Sequence, residues 1–315
     1  MTIEFVKLRG GMTVDVAMKQ IKRTGMDKET IYTCYVIDGQ RKLIGVVPLR
    51  TLICAKDEEL VQDLMEEDVV SVHTTDDQEE VAQIFKKYNW MALPVTDLEN
   101  RLVGIITVDD IVDVIDEETT EDMEKMAALL PSDEEYLKTP VTKLARNRIV
   151  WLCVLMVSGT LSSLVISHYQ TLLATVMALS SFITIITGTG GNAGSQASTM
   201  IIRGMALGEI EVKDVLRVVW KEVRVGALCG IALGAVNMVR MTFFSPSTGF
   251  LVDFTVSISM AAVVVLSKTI GCTLPLLAKK VGLDPAIMAT PLISTLVDIS
   301  TISVYFAIVS TAFAL

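Results

Sequence analysis

A single aspartate, Asp298, interrupts the otherwise apolar last stretch of the chain, from Pro285 to Leu315. A helix rises about 1.5 Å per residue, so this stretch can cross a hydrocarbon core of about 30 Å with Asp298 near its middle. An ionisable group at that depth costs at least about 2.5 to 3.5 kcal/mol on insertion scales, and it normally faces a bundle interior or a water-filled path. The sequence therefore favours an ion site at Asp298 over an aspartate that only hydrogen-bonds a neighbouring helix.

Four further polar side chains share the predicted helical face of Asp298. They stand eight and four residues before it and three and seven residues after it, and they are Thr290, Ser294, Thr301 and Tyr305. Positions with this spacing lie above one another on a helix. We therefore expect a polar stripe along the last helix, in which Thr290 and Ser294 contact the ion together with Asp298.

A glycine-rich stretch from Thr187 to Gln196, TGTGGNAGSQ, is the second candidate. It lacks the Lys-Ser/Thr pair of a phosphate-binding loop, which argues against a nucleotide there. Gly190 and Gly194 form a GxxxG pattern that is typical of close helix packing. Asn192 and Gln196 could instead present amide oxygens to a hydrated ion beside an opened backbone, and both interpretations can hold together.

An acidic stretch from Asp109 to Glu124, DDIVDVIDEETTEDME, is the third candidate. Such a run is usually a solvated face of a helix. The alternative is a weak divalent-cation site, because Mg²⁺ keeps most of its water and binds through one or two carboxylates. Without cations the same carboxylates would repel one another and spread, so the stretch is also a candidate switch.

Five apolar spans would hold these residues in a membrane: 149–167, 172–188, 225–244, 254–276 and 289–315. Lysine and arginine concentrate on one side of the spans, which predicts a cytoplasmic N-terminus and an outside C-terminus in the inner or plasma membrane. The first ten residues show no apolar core of a signal peptide. An odd number of spans argues against an internal inverted repeat, so a symmetric homodimer is the simpler way to enclose a path.

Composition supports this division into a soluble and a membrane half. Hydrophobic residues make up 51% of the chain and the mean hydropathy is +0.52. Residues 1–145 hold 30 acidic side chains against 16 basic ones. An acidic domain repels nucleic acid and attracts cations, so we exclude nucleic acid as a partner. The five cysteines form no CxxC pair and are odd in number, so neither disulfides nor a zinc site is expected.

An internal repeat organises the soluble half. Residues 35–53, YVIDGQRKLIGVVPLRTLI, align with residues 94–112, PVTDLENRLVGIITVDDIV, at an offset of 59 that pairs Gly45 with Gly104. Each copy predicts a helix, two strands and a second helix. The repeat resembles a tandem pair of cystathionine-β-synthase (CBS) domains, which implies one α/β module.

Many CBS domains bind adenine nucleotides, and the resemblance implies a candidate site in the second copy. Thr107 would contact a phosphate and Asp110 a ribose, so ATP is a possible ligand of the module. The first copy has Pro48 and Thr51 at the corresponding positions and lacks this pattern. A purely structural turn from strand to helix, capped by an aspartate, remains the alternative.

Three long motifs resemble the MgtE family of magnesium transporters. They are GTGGNAGSQASTMIIRGMALGEI at 188–210, the linker at 120–148 and GLDPAIMATPLISTLVDISTISVYF at 282–306. The resemblance implies a dimer with a cation pathway between two membrane domains, an aspartate of the last helix at the selectivity site, and acidic surfaces that bind Mg²⁺ and close the pore. It makes Asp298 the pore aspartate and places Asp284 near the cytoplasmic mouth. The implied sensing residues are Asp113, Asp116, Glu117, Glu118, Glu121 and Asp122.

The sequence thus predicts a multi-domain membrane protein. Its parts are a tandem α/β CBS module at 1–115, an acidic linker helix at 116–148 and an all-α transmembrane domain of five helices at 149–315. We expect a Mg²⁺ channel or transporter, not an enzyme, gated by cytosolic Mg²⁺. Family members carry a further helical domain before the CBS pair, for which this chain has only about ten residues, so we expect weaker closure. Thr301 stands where we expect a glycine, which would alter the pore width.

Two other classes of protein remain as alternatives. An intramembrane aspartyl protease needs two aspartates on adjacent helices, whereas Asp298 is the only acid deep in a predicted span. A nucleotide-regulated carrier for another cation or an organic solute would need aromatic or basic groups in the spans, which offer little beyond Arg240 and Lys268. Uptake measured with several divalent ions distinguishes these classes.

Overall fold

The computed structural model of the chain describes residues 1–132, 136–244, 249–288 and 291–313. It divides into two compact units, Met1–Thr120 and Glu121–Leu315. The predicted boundary after residue 115 falls inside a helix, because the chain is helical without a break from Val108 to Met126.

The first unit contains the same series of elements twice, as the repeat predicts. The first copy consists of β1 (Phe5–Leu8), α1 (Val14–Thr24), β2 (Thr30–Ile37), β3 (Leu43–Pro48) and α2 (Leu49–Cys54). A short α3 (Val61–Leu64) follows, and the second copy consists of β4 (Val72–His73), α4 (Gln78–Tyr88), β5 (Ala92–Thr96), β6 (Leu102–Thr107) and α5 (Val108–Met126). The predicted α/β class is confirmed.

Each copy forms a three-stranded sheet whose central strand is parallel to the first strand and antiparallel to the third. The register is the same in both copies: Val36 lies opposite Gly45, and Val95 lies opposite Gly104. These glycines are the pair that the repeat aligns. The sequence analysis missed β1 and β4, because strands of four and two residues are too short to show an alternating pattern.

The helices of the first unit cover the sheets with one apolar face. In α4 the residues Val81, Ala82 and Phe85 are buried, at the spacing of one helical face. The carboxylate of Asp77 accepts a hydrogen bond from the Glu79 backbone N–H (2.9 Å) and caps the start of α4. Asn89 ends the helix in the left-handed conformation, with φ of 53°.

The second unit is helical throughout its described residues. Its helices are α6 (Val141–His168), α7 (Gln170–Thr175), α8 (Ser180–Ala206), α9 (Val215–Phe244), α10 (Phe250–Lys280) and α11 (Pro291–Phe313). Four of the described helical segments, Val141–His168, Val212–Phe244, Phe250–Lys280 and Ile293–Phe313, are long and apolar enough to cross a membrane. The helix α8 has 27 residues but is rich in glycine and hydroxyl side chains.

The predicted second span, at 172–188, is wrong in its boundaries. The chain ends α7 at Thr175, makes a 3₁₀ turn at Met177–Leu179 and begins α8 at Ser180. The helix α8 then continues through the glycine-rich stretch to Ala206, so the backbone is not opened there. Hydropathy alone misplaced this helix, because the turn itself is apolar and gives no breaking signal.

Candidate ion-binding site

Asp298 lies on α11, with its side chain half-buried beside the glycine-rich stretch of α8. One carboxylate oxygen is 4.0 Å from the position that a Cβ at Gly191 would take. Within the described ranges the carboxylate has no hydrogen bond or ion pair. An acid without a partner inside an apolar unit is the arrangement that an ion or ordered water would complete.

The contact between α8 and its neighbours depends on glycines. A Cβ at Gly194 would lie 3.0 Å from Val297 of α11 and 3.3 Å from the Ser267 carbonyl oxygen of α10. A Cβ at Gly271 would overlap the carbonyl oxygen of Gly194. The close-packing interpretation of Gly190 and Gly194 is therefore the one that the geometry supports. These contacts fix α11, and with it Asp298, against α8.

The polar stripe of α11 does not form a continuous open lining. Thr301 is fully buried, and its hydroxyl oxygen lies 2.6 Å from the position that a Cβ at Gly190 would take. Tyr305 is also fully buried and donates a hydrogen bond to the Leu179 carbonyl oxygen (2.9 Å). The Thr301 side chain therefore packs between helices, and its effect on the pore width stays a prediction.

The other predicted contacts of Asp298 on α11 differ in how far the structure describes them. Ser294 is half-buried and lies four residues before Asp298, on the same side of the helix. Thr290 lies outside the described residues. Among the described side chains of the stripe, Ser294 and Asp298 are the two that are not fully buried.

Asn192 and Gln196 are exposed on α8. They line a cavity of about 710 Å³ together with Ser195, Thr199, Glu222 of α9 and Lys268 of α10. Asp298 is not among the residues that line it. The predicted opening of the backbone is wrong, because α8 is continuous through this stretch. The assignment of the two amides to the ion path stays a prediction.

The pair formed by Glu222 and Lys268 is a feature that the sequence analysis missed. The Lys268 ammonium lies 3.9 Å from a Glu222 carboxylate oxygen. Lys268 is 6% exposed, so the two charges face each other across the interior of the unit. A lysine within a predicted apolar span was the available signal, since such a charge needs a partner.

Asp284 lies in the turn before α11 and is fixed from two sides. One carboxylate oxygen accepts the Ala286 backbone N–H (2.8 Å). The other accepts a hydrogen bond from the ammonium of Lys125 (2.7 Å), which also contacts Glu121 (2.8 Å). Burial of the Lys125 ammonium disfavours its charge, but the hydrogen bonds and charges of Asp284 and Glu121 outweigh burial and raise the pKa of Lys125. The end of α5 is thereby bound to the start of α11.

The six acids predicted to sense Mg²⁺ all lie on α5. Asp113, Asp116 and Glu117 are exposed, and Glu118, Glu121 and Asp122 are half-buried. Glu118 accepts a hydrogen bond from the Gln78 amide (2.6 Å). Within residues 1–132, 136–244, 249–288 and 291–313, no group of three or more Asp, Glu, His or Cys side chains could hold a metal ion. The role of these acids in sensing Mg²⁺ stays a prediction.

The first unit contains a cavity of about 720 Å³ that is lined by residues of both copies. Aromatic side chains and one arginine contribute to its wall, among them Tyr32, Trp90 and Arg50. The ring of Trp90 stacks on Tyr88, with 4.8 Å between the ring centres. Flat aromatic surfaces beside a cation form a surface that suits a nucleotide.

Thr107 and Asp110, the predicted nucleotide contacts, do not line this cavity. Thr107 is buried, and its side chain hydrogen-bonds the carboxylate of Asp109, which lowers the pKa of Asp109. One Asp110 carboxylate oxygen lies 3.2 Å from the backbone nitrogen of Met1. The cavity therefore does not include the predicted contacts, and a nucleotide at Thr107 and Asp110 stays a prediction.

A pair of α/β repeats followed by a bundle of membrane-spanning helices defines a multi-pass membrane transporter with a regulatory module. Comparison with known families agrees with this class. Residues 183–308 match the family model MgtE, described as a divalent cation transporter, and residues 1–58 and 61–117 match the CBS domain. The chain belongs to the MgtE family.

Curated relatives match almost the whole chain. The magnesium transporter MgtE of Thermus thermophilus is 37% identical over 308 residues, which cover 98% of this chain and 68% of that protein. The magnesium transporter MgtE of Enterococcus faecalis is 37% identical over 310 residues, which cover 98% of this chain and 67% of that protein. The chain thus spans about two thirds of the length of these relatives.

Among solved structures, the cytosolic domain of the Mg²⁺ channel MgtE in complex with ATP is 48% identical to the matched part of this chain. The match covers 36% of this chain and 46% of that one, with a TM-score of 0.36.

Proposed function

We propose that this chain carries Mg²⁺ across the membrane into the cytoplasm, and that Asp298 holds the ion on its path. The observation that carries the proposal is the half-buried Asp298 carboxylate, which has no partner among the described residues. It lies within the region that matches a divalent cation transporter and beside a helix face of glycines that leaves room next to it.

The chemistry of Mg²⁺ suits one carboxylate from each of two chains. The ion releases its water reluctantly and is usually bound through one or two carboxylates. In a homodimer, two Asp298 side chains across the symmetry axis would attract the hydrated ion without removing its water. No residue of α6 is buried in the described chain, which supports a second copy or lipid as its cover. We place the N-terminus in the cytoplasm.

Ion uptake by the purified protein in lipid vesicles tests the proposal. Mg²⁺, Mn²⁺, Co²⁺ and Ca²⁺ are supplied in turn to wild type, Asp298→Ala and Asp298→Asn. The asparagine variant keeps the shape of the side chain and removes its charge, so we expect it to lose uptake about as completely as alanine does. Glu209→Gln, at an exposed acid of the same unit, is the matched control and should transport normally. Wild-type uptake by Asp298→Asn would refute the assignment.

We further propose that cytosolic Mg²⁺ closes this path by binding the acids of α5. The support is a continuous connection: α5 runs from the second CBS copy to Met126, and Lys125 near its end binds Asp284 before α11. Bound Mg²⁺ would relieve repulsion among the acids and favour one position of the helix. The shift cannot exceed the difference in Mg²⁺ affinity between the two positions.

Proteolysis and conductance at different Mg²⁺ concentrations test the gate. We expect protection of the linker and reduced conductance at about millimolar Mg²⁺, because carboxylates that leave the metal hydrated bind weakly. Na⁺ at matched ionic strength is the control for screening. Neutralising Asp116, Glu117, Glu118 and Glu121 together should remove the response. A wild-type response that is flat across the millimolar range would contradict self-gating.

A second function, binding of an adenine nucleotide such as ATP, is supported by the cavity of the first unit. Tyr32 and Trp90 offer faces for the base, and Arg50 offers a charge for a phosphate. Titration calorimetry with ATP and the change in Trp90 fluorescence measure binding. Arg50→Ala should weaken it by about tenfold, whereas Lys56→Ala, at an exposed lysine outside the cavity wall, should not. An equal loss of ATP affinity in both variants would mean that the effect comes from the overall charge of the unit and not from Arg50.

A further inference from the structure

The two hairpin turns of the first unit, one between β2 and β3 and one between β5 and β6, are hydrogen-bonded to each other. The backbone N–H of Leu43 donates to the Asn100 carbonyl oxygen (3.0 Å), and the backbone N–H of Leu102 donates to the Arg41 carbonyl oxygen (3.0 Å). The second turn is also held from within, because one Asp97 carboxylate oxygen accepts two of its backbone N–H groups. The backbone at the junction of the two turns is therefore fixed.

A cavity of about 540 Å³ lies at the junction of the two turns. Its wall consists of Gln40, Arg41, Asp97, Arg101, Leu102 and Val103. One guanidinium comes from each copy, and neither has a hydrogen bond or an ion pair within the described parts of the chain. The acid of the wall is Asp97, and one of its oxygens accepts the backbone N–H groups of Glu99 (3.1 Å) and Arg101 (2.7 Å). The wall therefore carries more positive charge than negative charge.

Arg41 has a backbone conformation that suits asparagine or glycine better than arginine. Its φ is 68°, and Asn100, which the repeat aligns with it at the offset of 59, has φ of 62°. Asparagine is enriched in this left-handed region, whereas a long side chain there costs free energy. The second copy thus forms the same turn with a residue that the conformation favours. The turn alone gives no reason for the arginine, and strained residues of this kind occur at ligand sites.

Two half-buried lysines, Lys7 and Lys28, add positive charge near Arg41. Burial, followed by the charges of Arg41 and Lys28, lowers the pKa of Lys7. The Lys7 ammonium lies 4.7 Å from the centre of the Phe5 ring, and neither lysine has an ion pair among the residues that the structure describes. These positive charges repel one another, so a bound anion would stabilise all of them.

The side chains of the wall determine which anion fits. A guanidinium binds phosphate oxygens through two parallel N–H groups, and the Gln40 amide adds a further donor. The described residues of this wall include no aromatic ring on which a base could stack, unlike the cavity lined by Tyr32 and Trp90. We propose that the junction of the two turns binds inorganic phosphate or pyrophosphate between Arg41 of the first copy and Arg101 of the second. The bound anion thereby joins the two copies.

Calorimetric titration of the purified full chain with pyrophosphate tests the proposal, in detergent and without Mg²⁺, which would itself bind pyrophosphate. Arg41→Asn is the most informative variant, because asparagine suits the left-handed conformation and the turn should fold at least as well as in wild type. We expect Arg41→Asn and Arg101→Gln each to bind pyrophosphate about tenfold more weakly. Arg23→Gln, at an exposed arginine outside the cavity wall, should bind it as wild type does. Absence of binding by wild type, or wild-type affinity in Arg41→Asn, overturns the proposal.

A comparison with ATP separates this cavity from the one proposed for a nucleotide. Arg41→Asn should lose pyrophosphate affinity and keep ATP affinity, because Arg41 does not line the cavity that contains Trp90. Arg50→Ala should keep pyrophosphate affinity, because Arg50 does not line the cavity at the two turns. Equal losses of ATP and pyrophosphate affinity in Arg41→Asn, or loss of pyrophosphate binding in Arg50→Ala, overturn the proposal.

Chemical protection locates the bound anion in wild-type protein without any substitution. Phenylglyoxal modifies accessible guanidinium groups, and mass spectrometry of peptides measures the modification of each arginine. Pyrophosphate should slow the modification of Arg41 and Arg101 and leave that of Arg23 unchanged. Unprotected Arg41 and Arg101, or equal protection of all three arginines, overturns the proposal.

Discussion

The two faces of α8 are built from small and polar residues of the same kinds, yet one is closed by neighbouring helices and the other is open. Gly190 and Gly194 pack against α10 and α11 next to Asp298. Asn192 and Gln196 face a cavity with Glu222 and Lys268. Each pair is four residues apart, but the pairs are offset by two residues, which turns them about 200° from each other around the helix. Gly191, which lies beside Asp298, stands between the two pairs around the helix.

This difference shows that the residues of a single motif can meet different surroundings. The sequence places the glycines and the amides within seven residues, which suggested one site with Asp298. Helical geometry allows only one of the two pairs to meet α11. The packing of the glycines decides which, because their missing side chains permit the close approach.

One added methyl group should disrupt the packing of the closed face of α8 against its neighbours. In Gly271→Ala the new Cβ would overlap the Gly194 carbonyl oxygen, so we expect a loss of unfolding free energy of about 1 to 3 kcal/mol or more. Gly188→Ala, in the same stretch of α8 but with nothing within 4 Å of its Cβ, should be neutral or stabilising by up to about 1 kcal/mol. Thermal unfolding in detergent measures both. Equal destabilisation would mean that close packing does not hold this face together.

The functional contrast between the faces can be tested with three side chains. Asp298→Asn should reduce Mg²⁺ uptake by at least about a hundredfold, because it removes the charge that attracts the ion. Asn192→Ala and Gln196→Ala, on the open face, should each change uptake by less than about threefold. Uptake rates in vesicles measure the difference. If either amide variant lost as much Mg²⁺ uptake as Asp298→Asn, both faces of α8 would belong to one ion path.

A subtler test removes a buried hydroxyl from the closed face. The Thr301 hydroxyl is buried and has no hydrogen-bond partner among the residues described. Thr301→Val keeps the shape of the side chain, so we expect unchanged ion preference and a gain in unfolding free energy of up to about 1 kcal/mol. Uptake of Mg²⁺ against Ca²⁺ and thermal unfolding provide the measurements. An altered ion preference would show that Thr301 contacts the ion after all.

The smallest effect concerns pH at the link between α5 and α11. Because Asp284 and Glu121 raise the pKa of Lys125 above its ordinary value of 10.5, its stabilising charge is complete below that value and is lost only as pH rises through the folded-state pKa. Lys125→Met should therefore lower the unfolding free energy by about 1 kcal/mol, by the same amount from about pH 6 to 9. Lys213→Met, in an exposed ion pair with Glu211, is the control. If the loss of unfolding free energy caused by Lys125→Met became smaller as the pH rose from 6 to 9, the raised pKa of Lys125 would be contradicted.

Much of the fold follows from patterns that act over short distances. The repeat at an offset of 59 predicts the two copies with the correct register at Gly45 and Gly104. Four of the five predicted apolar spans correspond to described helices that are long and apolar enough to cross a membrane, and the isolated charge makes Asp298 the candidate site. Each of these signals arises from local periodicity or from one charged residue whose burial in an apolar stretch costs free energy.

The remaining features depend on contacts that no local pattern records. Lys125 and Asp284 are 159 residues apart in the chain, and Glu222 and Lys268 meet only because α9 packs on α10. The end of α7 and the start of α8 fall in an apolar stretch where turn and helix have the same composition. The position of the cavity in the first unit likewise depends on how the two copies fold together, because residues of both copies line it.

The ammonium of Lys125 stands between two carboxylates, where a free divalent ion would otherwise find a place. Lys125 is part of the same helix as Glu121. The effective concentration of its ammonium beside the two carboxylates is therefore set by the length of the lysine side chain and does not depend on ion concentrations in the cell. A tethered partner of this kind acts at about millimolar effective concentration or above. Any Mg²⁺ that approaches Glu121 and Asp284 must compete with it. In the proposed gating, this competition would raise the Mg²⁺ concentration that is needed to occupy Glu121 and Asp284.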